Sequence, residues 1–167
     1  LLLRAFPDDV PHRTIIATPE IRAQTRYLKS GVYPFMTEFY FERAPEPQTF
    51  DTDLVIELVD ASPASFDDLG RIDLSILGFR RDVDHQFLTS DRKLYLYKRN
   101  GQVVGYGYIQ RDLYGPFALL EKEDFPAVLA HAENEAHAMG ATVIGFEVPT
   151  INSSAISHLL NLGYRLE

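Results

Sequence analysis

The chain has 167 residues, 46% of them hydrophobic and 12% aromatic, enough to bury a core and unlike a disordered segment. Acidic residues outnumber basic ones 24 to 16, and the net charge of -8 repels phosphate backbones, so no nucleic-acid partner is expected. The absence of cysteine excludes disulfides, thiolate nucleophiles and cysteine zinc sites, and no apolar run approaches the roughly 20 residues that span a bilayer.

A cytoplasmic protein is therefore expected, with no membrane association. The negative balance fits a cationic small molecule such as an amine as the partner. The chain opens on Leu1 rather than methionine, so further sequence upstream is an expectation too.

Residues 12–18 (HRTIIAT) are β-branched and read as a strand. Pro19-Glu20 opens a helix that runs to about Ser30 and stops at Gly31. Residues 35–41 (FMTEFYF) read as another strand, and residues 44–50, with two prolines and no periodicity, as a linker. Residues 54–59 are a third strand. Ser62-Pro63 and Asp67-Asp68 then introduce a helix whose apolar face carries Leu69, Ile72, Ile76 and Leu77, and a shorter helix covers residues 83–88.

Two strands, residues 93–98 and 102–111, flank Asn100-Gly101, the strongest hairpin signal in the chain. Residues 114–120 form the next strand. Asp124 caps a helix with Pro126 in its first turn, ending at Gly140, with Phe125, Val128, Leu129, Ala132, Ala136 and Met139 on one face. A strand over 141–148, a helix over 152–161 closed by Gly163, and the beginning of a strand over 164–167 complete the series.

A repeat is visible in this series. Ala23 stands eight residues before Gly31, and Ala155, 132 positions further on, stands eight before Gly163. Thr18 aligns with Thr150 at the same offset. A strand-helix-strand unit thus occurs twice, but a period of that length needs more chain than precedes the first copy. The reading is a first domain over residues 1–44 of which only the last third is present, a linker over 45–52, and a second domain over 53–167 that lacks its last strand.

The order from residue 54 onward is strand, two helices, a three-strand antiparallel meander, helix, strand, helix, strand. With the Asn100-Gly101 hairpin followed by Val103-Val104-Gly105-Tyr106, and with Asn152-Ser153-Ser154-Ala155-Ile156 before Gly163-Tyr164, it resembles the GNAT superfamily of acyl-CoA N-acyltransferases. Residues 12–41 look like the last strand-helix-strand of a preceding GNAT domain. The resemblance implies an α/β, GNAT-like fold, a twisted mixed central sheet flanked by helices.

It also implies chemistry. An amine attacks the thioester of acetyl-CoA, the oxyanion rests on backbone N–H groups where two central strands splay, and a tyrosine of the last helix returns a proton to the thiolate. The cofactor's diphosphate lies on the amides of a glycine-containing loop at a helix N-terminus. Carried onto this chain, the backbone of Phe117, Ala118 and Leu119 would hold the pantetheine arm and Asn152 would contact the cofactor. Asn152 is equally an N-cap.

Two departures stand out. Where the family has roughly Q/R-x-x-G-x-G/A, this chain has Glu121-Lys122-Glu123-Asp124-Phe125-Pro126: no glycine, three acids and a proline without an N–H. The family's tyrosine position falls on Leu159 in the second copy but on Tyr27 in the first, where Glu20 replaces Asn152. Tyr27 is read either as the catalytic acid or as a packed helix tyrosine.

The expected function is GNAT-type N-acetyl transfer from acetyl-CoA to an amine, this chain supplying mainly a degenerate C-terminal domain that is inactive alone. The alternative is a non-catalytic GNAT-like scaffold or binding module.

Other constellations carry less. The G-x-G at Gly105 to Gly107 lies within a strand and lacks a third glycine, so Tyr106 and Tyr108 are expected to pack on one face or line a groove. His131, Glu135 and His137 read as a solvated helix face rather than a metal site. Asp67-Asp68 and Asp82/Asp84 read as helix-start residues, and Ser153-Ser154 with His158 forms no triad.

Overall fold

The computed structural model describes Ala17 and residues 20–167. Its contacts separate Leu1–Phe35 from Met36–Glu167 as two compact units.

Of the first unit the described element is helix α1 (Ile21–Lys29). Glu20 accepts a hydrogen bond from the Ala23 amide at 2.7 Å, and Gly31, at φ 78°, ends the helix. The strand expected over 12–18 lies outside the described residues except for Ala17, which belongs to no regular element.

The second unit begins with β1 (Glu38–Arg43), followed by β2 (Val55–Val59), α2 (Pro63–Leu77), α3 (Asp82–Leu88), β3 (Lys93–Arg99), β4 (Gln102–Gln110) and β5 (Leu113–Leu119). Helix α4 (Phe125–Ala138), β6 (Ile144–Pro149), α5 (Ser153–Asn161) and β7 (Arg165–Leu166) follow. Local chemistry explains most boundaries. Ser62 and Ser65 form a reciprocal capping box with Pro63 in the first turn, and Gly78 closes α2 in the left-handed conformation. Asn100 and Gly101 both have positive φ, 51° and 78°, as a two-residue turn between twisted strands requires.

One antiparallel sheet has the order β2-β3-β4-β5, and its β3-β4-β5 part is the expected meander. Residues alternate between its faces. Tyr95 and Tyr97 of β3 enter a core with α4 and α5, whereas Leu94 and Leu96 enter a second core with Leu69 and Ile72 of α2. Of the apolar α2 positions, Ile76 and Leu77 are exposed. Asp73 takes the inward position beside Ile72 because it has polar partners there.

The second sheet has the order β6-β1-β7. Strand β1, early in the chain, fills the slot between the last two strands. It runs antiparallel to β6 from Glu38↔Pro149 to Arg43↔Ile144, and to β7 at Phe41↔Leu166 and Glu42↔Arg165. The Thr150 amide donates to the Thr37 carbonyl at 2.9 Å and the Glu167 amide to the Tyr40 carbonyl at 3.0 Å, extending the ladder at both ends. Phe41 is buried in the core.

Arg43 completes the docking. Its Nε donates to Glu133 Oε1 at 2.7 Å, its Nη2 binds the other carboxylate oxygen, and its Nη1 reaches the Leu162 carbonyl at 2.5 Å. Tyr164 donates its hydroxyl to the same carboxylate, and the guanidinium lies 4.9 Å from the Tyr164 ring centre. Glu133 is 0% exposed. Replacing Arg43 by alanine would leave that charge buried and unpaired, an expected cost of about 3–5 kcal/mol in denaturant unfolding. A variant as stable as the parent would show that the pair does not hold β1 in place.

Candidate functional site

Strand β5 pairs with β4 through Gly105↔Leu119, Tyr106↔Ala118 and Gly107↔Phe117, and the Leu120 amide continues the ladder to the Val104 carbonyl at 2.9 Å. Ladder alternation therefore turns the Ala118 amide towards β4, and the backbone groups of Phe117 and Leu119 away from it. Among the described residues no ladder joins β5 to β6, so the two sheets part here. Side chains occupy the gap: the Phe146 ring lies 5.8 Å from Phe117, 6.3 Å from Tyr114 and 5.9 Å from Tyr164. Gly107 is required by the close approach of the Phe117 ring, into which any Cβ would run.

Beyond β5, Lys122–Asp124 form a single 3-10 turn that leads into α4. Asp124 does not cap the helix with its side chain, contrary to expectation. The carboxylate, 5% exposed, instead accepts two hydrogen bonds from Arg99, at 2.6 and 3.2 Å. Arg99 also forks onto Asp53 at 2.7 and 2.8 Å and holds that carboxyl below its usual range. The start of α4 thus already carries a negative group, and the nearby guanidinium is committed to two carboxylates. With Glu121 and Glu123 alongside and Pro126 lacking an N–H, these residues do not fit a diphosphate.

The candidate positions fall on three elements. Phe117, Ala118 and Leu119 lie together on β5, half-buried. Asn152 sits at the start of α5, where its Oδ1 accepts from the Ala155 amide at 3.2 Å as an N-cap. Tyr27, half-buried on α1, belongs to the other compact unit.

The ends of α1 and α5 share a glycine-cap hydrogen-bond pattern, which α4 also shows where Gly140 donates to His137 and Ala141 to Ala136. Ser30 donates to the Arg26 and Tyr27 carbonyls as Leu162 does to His158 and Leu159, and Gly31 donates to Leu28 as Gly163 does to Leu160. Val32 bonds Tyr27 as Tyr164 bonds Leu159.

Sequence reasoning missed a polar cluster beneath α2 and α3. Asp73 accepts from Tyr106 at 2.5 Å and contacts His85 Nε2 at 2.8 Å, while His85 Nδ1 lies 2.9 Å from the Tyr108 hydroxyl. Arg81 donates to Tyr106 at 2.9 Å and brings its Nε to 3.6 Å from Asp73. Asp73, His85, Tyr106 and Tyr108 are all 0% exposed. The signal was a lone acid on the apolar face of a helix opposite two alternating tyrosines. Asp67 and Asp68 lie past the first turn of α2 and face Arg80 and Arg71, whereas Asp82 and Asp84 do open α3.

Helix α4 is more deeply enclosed than a one-faced helix. His131 is not solvated but packs against Tyr95 and bonds the Tyr97 hydroxyl at 3.1 Å, and Glu135 accepts from Tyr95 at 2.7 Å. Among the described residues no cluster of His, Asp or Glu has the arrangement of a metal site, and no helix is long and apolar enough to cross a membrane.

No family model and no curated protein sequence matches the chain. Solved structures do. A provisionally named acetyltransferase from Pyrococcus horikoshii superposes with a TM-score of 0.62 at 17% identity, over 89% of this chain and 48% of its own. A Drosophila protein gives 0.63 at 15%, over 87% and 53%. A conserved Staphylococcus epidermidis protein of unknown function gives 0.57 at 16%, over 90% and 65%. The chain thus spans from just under half to just under two thirds of the length of these structures. The likeness shows the fold: α/β and GNAT-like, with the sheet parting at β5 and β6.

Burial pushes the His131 imidazole below its usual range. The unfolded chain therefore binds the proton first as pH falls. The stability this residue contributes is full above about pH 6.5 and lost as pH drops through the folded value. His158 is lowered for the same reason. Urea midpoints between pH 7 and 5 should fall for the parent and fall less for His131→Gln; equal slopes would place the acid sensitivity elsewhere.

Proposed function

We propose that this chain belongs to an acyl-CoA-dependent N-acetyltransferase of the GNAT type, in which Met36–Glu167 serve as a degenerate C-terminal domain and acyl transfer to a small-molecule amine falls to the preceding unit. The observation that carries this reading is the sealed start of α4. A domain with the GNAT-like fold presents Asp124, bound to Arg99, where the family offers free amides to a diphosphate. Tyr27 is the one residue at the family's proton-donor position that can donate a proton, since its counterpart Leu159 cannot. An acetyl-CoA donor would be held by residues preceding α1, and Phe117, Ala118, Leu119 and Asn152 keep structural roles.

A second reading is favoured by one observation. Phe146, packed against Phe117 and Tyr114, fills the gap between β5 and β6. On that reading the module catalyses nothing and acts as a scaffold or binds a partner.

The first of two measurements tests the loss of cofactor binding that both readings share, and the second separates them. Acetyl-CoA titrated against this chain should leave its melting temperature unchanged, because stabilisation by linkage requires binding to the folded state. A rise with ligand concentration would restore cofactor binding to the second unit. In the protein extended upstream of Leu1, Tyr27→Phe should lower kcat by about 10²–10⁴ with little change in KM. Complete absence of acyl transfer by the extended parent would favour the scaffold.

A further inference from the structure

The slot between β6 and β7 is filled by a strand from the opposite end of the second unit, and the backbone and charge partners that hold it come from late in the chain. The backbone partners are β6 and β7, with Thr150 and Glu167 extending them. The charge partner is Glu133, with the Leu162 carbonyl beside it. The hold continues past the strand. Pro45 is buried, and Gln48 and Asn134 exchange two hydrogen bonds, Gln48 N to Asn134 Oδ1 at 2.8 Å and Asn134 Nδ2 to the Gln48 carbonyl at 2.9 Å.

Residues 36–48 are therefore an arm docked on α4, β6, α5 and β7. Residues 49–52 then form no regular element, and Thr49, Phe50 and Asp51 are exposed. Only at Asp53, held by Arg99, is the chain gripped again. A bound arm followed by an exposed, unstructured connection is what an exchange between two copies needs. All docking contacts are the same in the closed and exchanged forms, and only the connection changes course.

From this we infer that residues 36–48 are a transferable arm, and that the slot between β6 and β7 accepts the arm of a second copy of this chain to give a strand-exchanged dimer. The unit's own arm favours the monomer at low concentration, since its local concentration is high. Refolding at high protein concentration favours exchange.

The absence of cysteine allows a clean test in the full chain. Tyr40 and Glu147 are paired across β1 and β6, and both are exposed. A chain carrying Tyr40→Cys is unfolded together with a chain carrying Glu147→Cys, and the mixture is refolded and oxidised. The expected result is a covalent species of doubled mass whose 40–147 linkage is read by mass spectrometry, and its loss when the two chains are refolded separately before mixing. A chain carrying both substitutions serves as control and should close the same bond internally. If the control closes while the co-refolded pair gives only monomer or random linkages, the arm does not transfer and the inference fails. If the control fails to close, the light-scattering mass of the refolded parent decides: a doubled mass upholds exchange, and a monomer at every concentration overturns it.

Discussion

Arg43 on Glu133 is the contact on which the second unit depends. Removing two charges from water costs several kcal/mol for each ion, and attraction in a buried site offsets this only where the remaining hydrogen-bonding capacity is used. Here it is used. The guanidinium forks onto both carboxylate oxygens and spends a further N–H on the Leu162 carbonyl, while the Tyr164 hydroxyl supplies another donor to Glu133. One side chain of β1 thereby joins α4, the end of α5 and the segment entering β7. Strand β1 has six residues and could slide against β6 on backbone bonding alone. A bidentate charge pair admits one register, and that register puts Phe41 in the core.

The same device recurs. Among the described residues three carboxylates are buried, Asp73, Asp124 and Glu133, and each faces an arginine: Arg81, Arg99 and Arg43. A planar, permanently charged fork suits a buried carboxylate better than a lysine, whose ammonium is compact and strongly hydrated. In a chain with net charge -8 these arginines are placed where the field of acids would otherwise be least tolerable. At Asp124 the arrangement also bears on function. An anion that is covalently part of the chain stands at the start of α4, and a second anion would meet both its charge and those of Glu121 and Glu123.

What was legible in the sequence was local. The Asn100-Gly101 turn, the Ser62-Pro63 start and the glycine stops each follow from backbone conformations available to few residues, and all occur where expected. The meander follows from them. The partners of β1 were not legible, because the strand's pairing is with residues about a hundred positions away and its own sequence says only that it is extended. The burial of Asp73 and His131 was hidden for a related reason. A polar residue on an apolar face reads as a solvated edge until the tyrosines opposite it are known, and these come from β3 and β4. The candidate positions on β5 and at Asn152 could be located, but the ring of Phe146, packed from β6 against Phe117 of β5, could not be foreseen.

The helices that end at Gly31 and Gly163 share their capping chemistry. Glu20 differs from Asn152, yet a side-chain oxygen of each accepts from an alanine amide three residues on, so the cap persists through a change of residue. The glycines persist because both ends need positive φ, 78° at Gly31 and 84° at Gly163. Beyond the glycine the two segments differ: β7 begins at Arg165, two residues after Gly163, whereas β1 begins only at Glu38, seven after Gly31. At the paired position the residues differ in kind as well. Leu159 is 0% exposed, enclosed with Ala155 and Tyr164. Tyr27 keeps part of its surface open. The unit whose helix start is sealed thus also carries a buried leucine at the position that matches Tyr27.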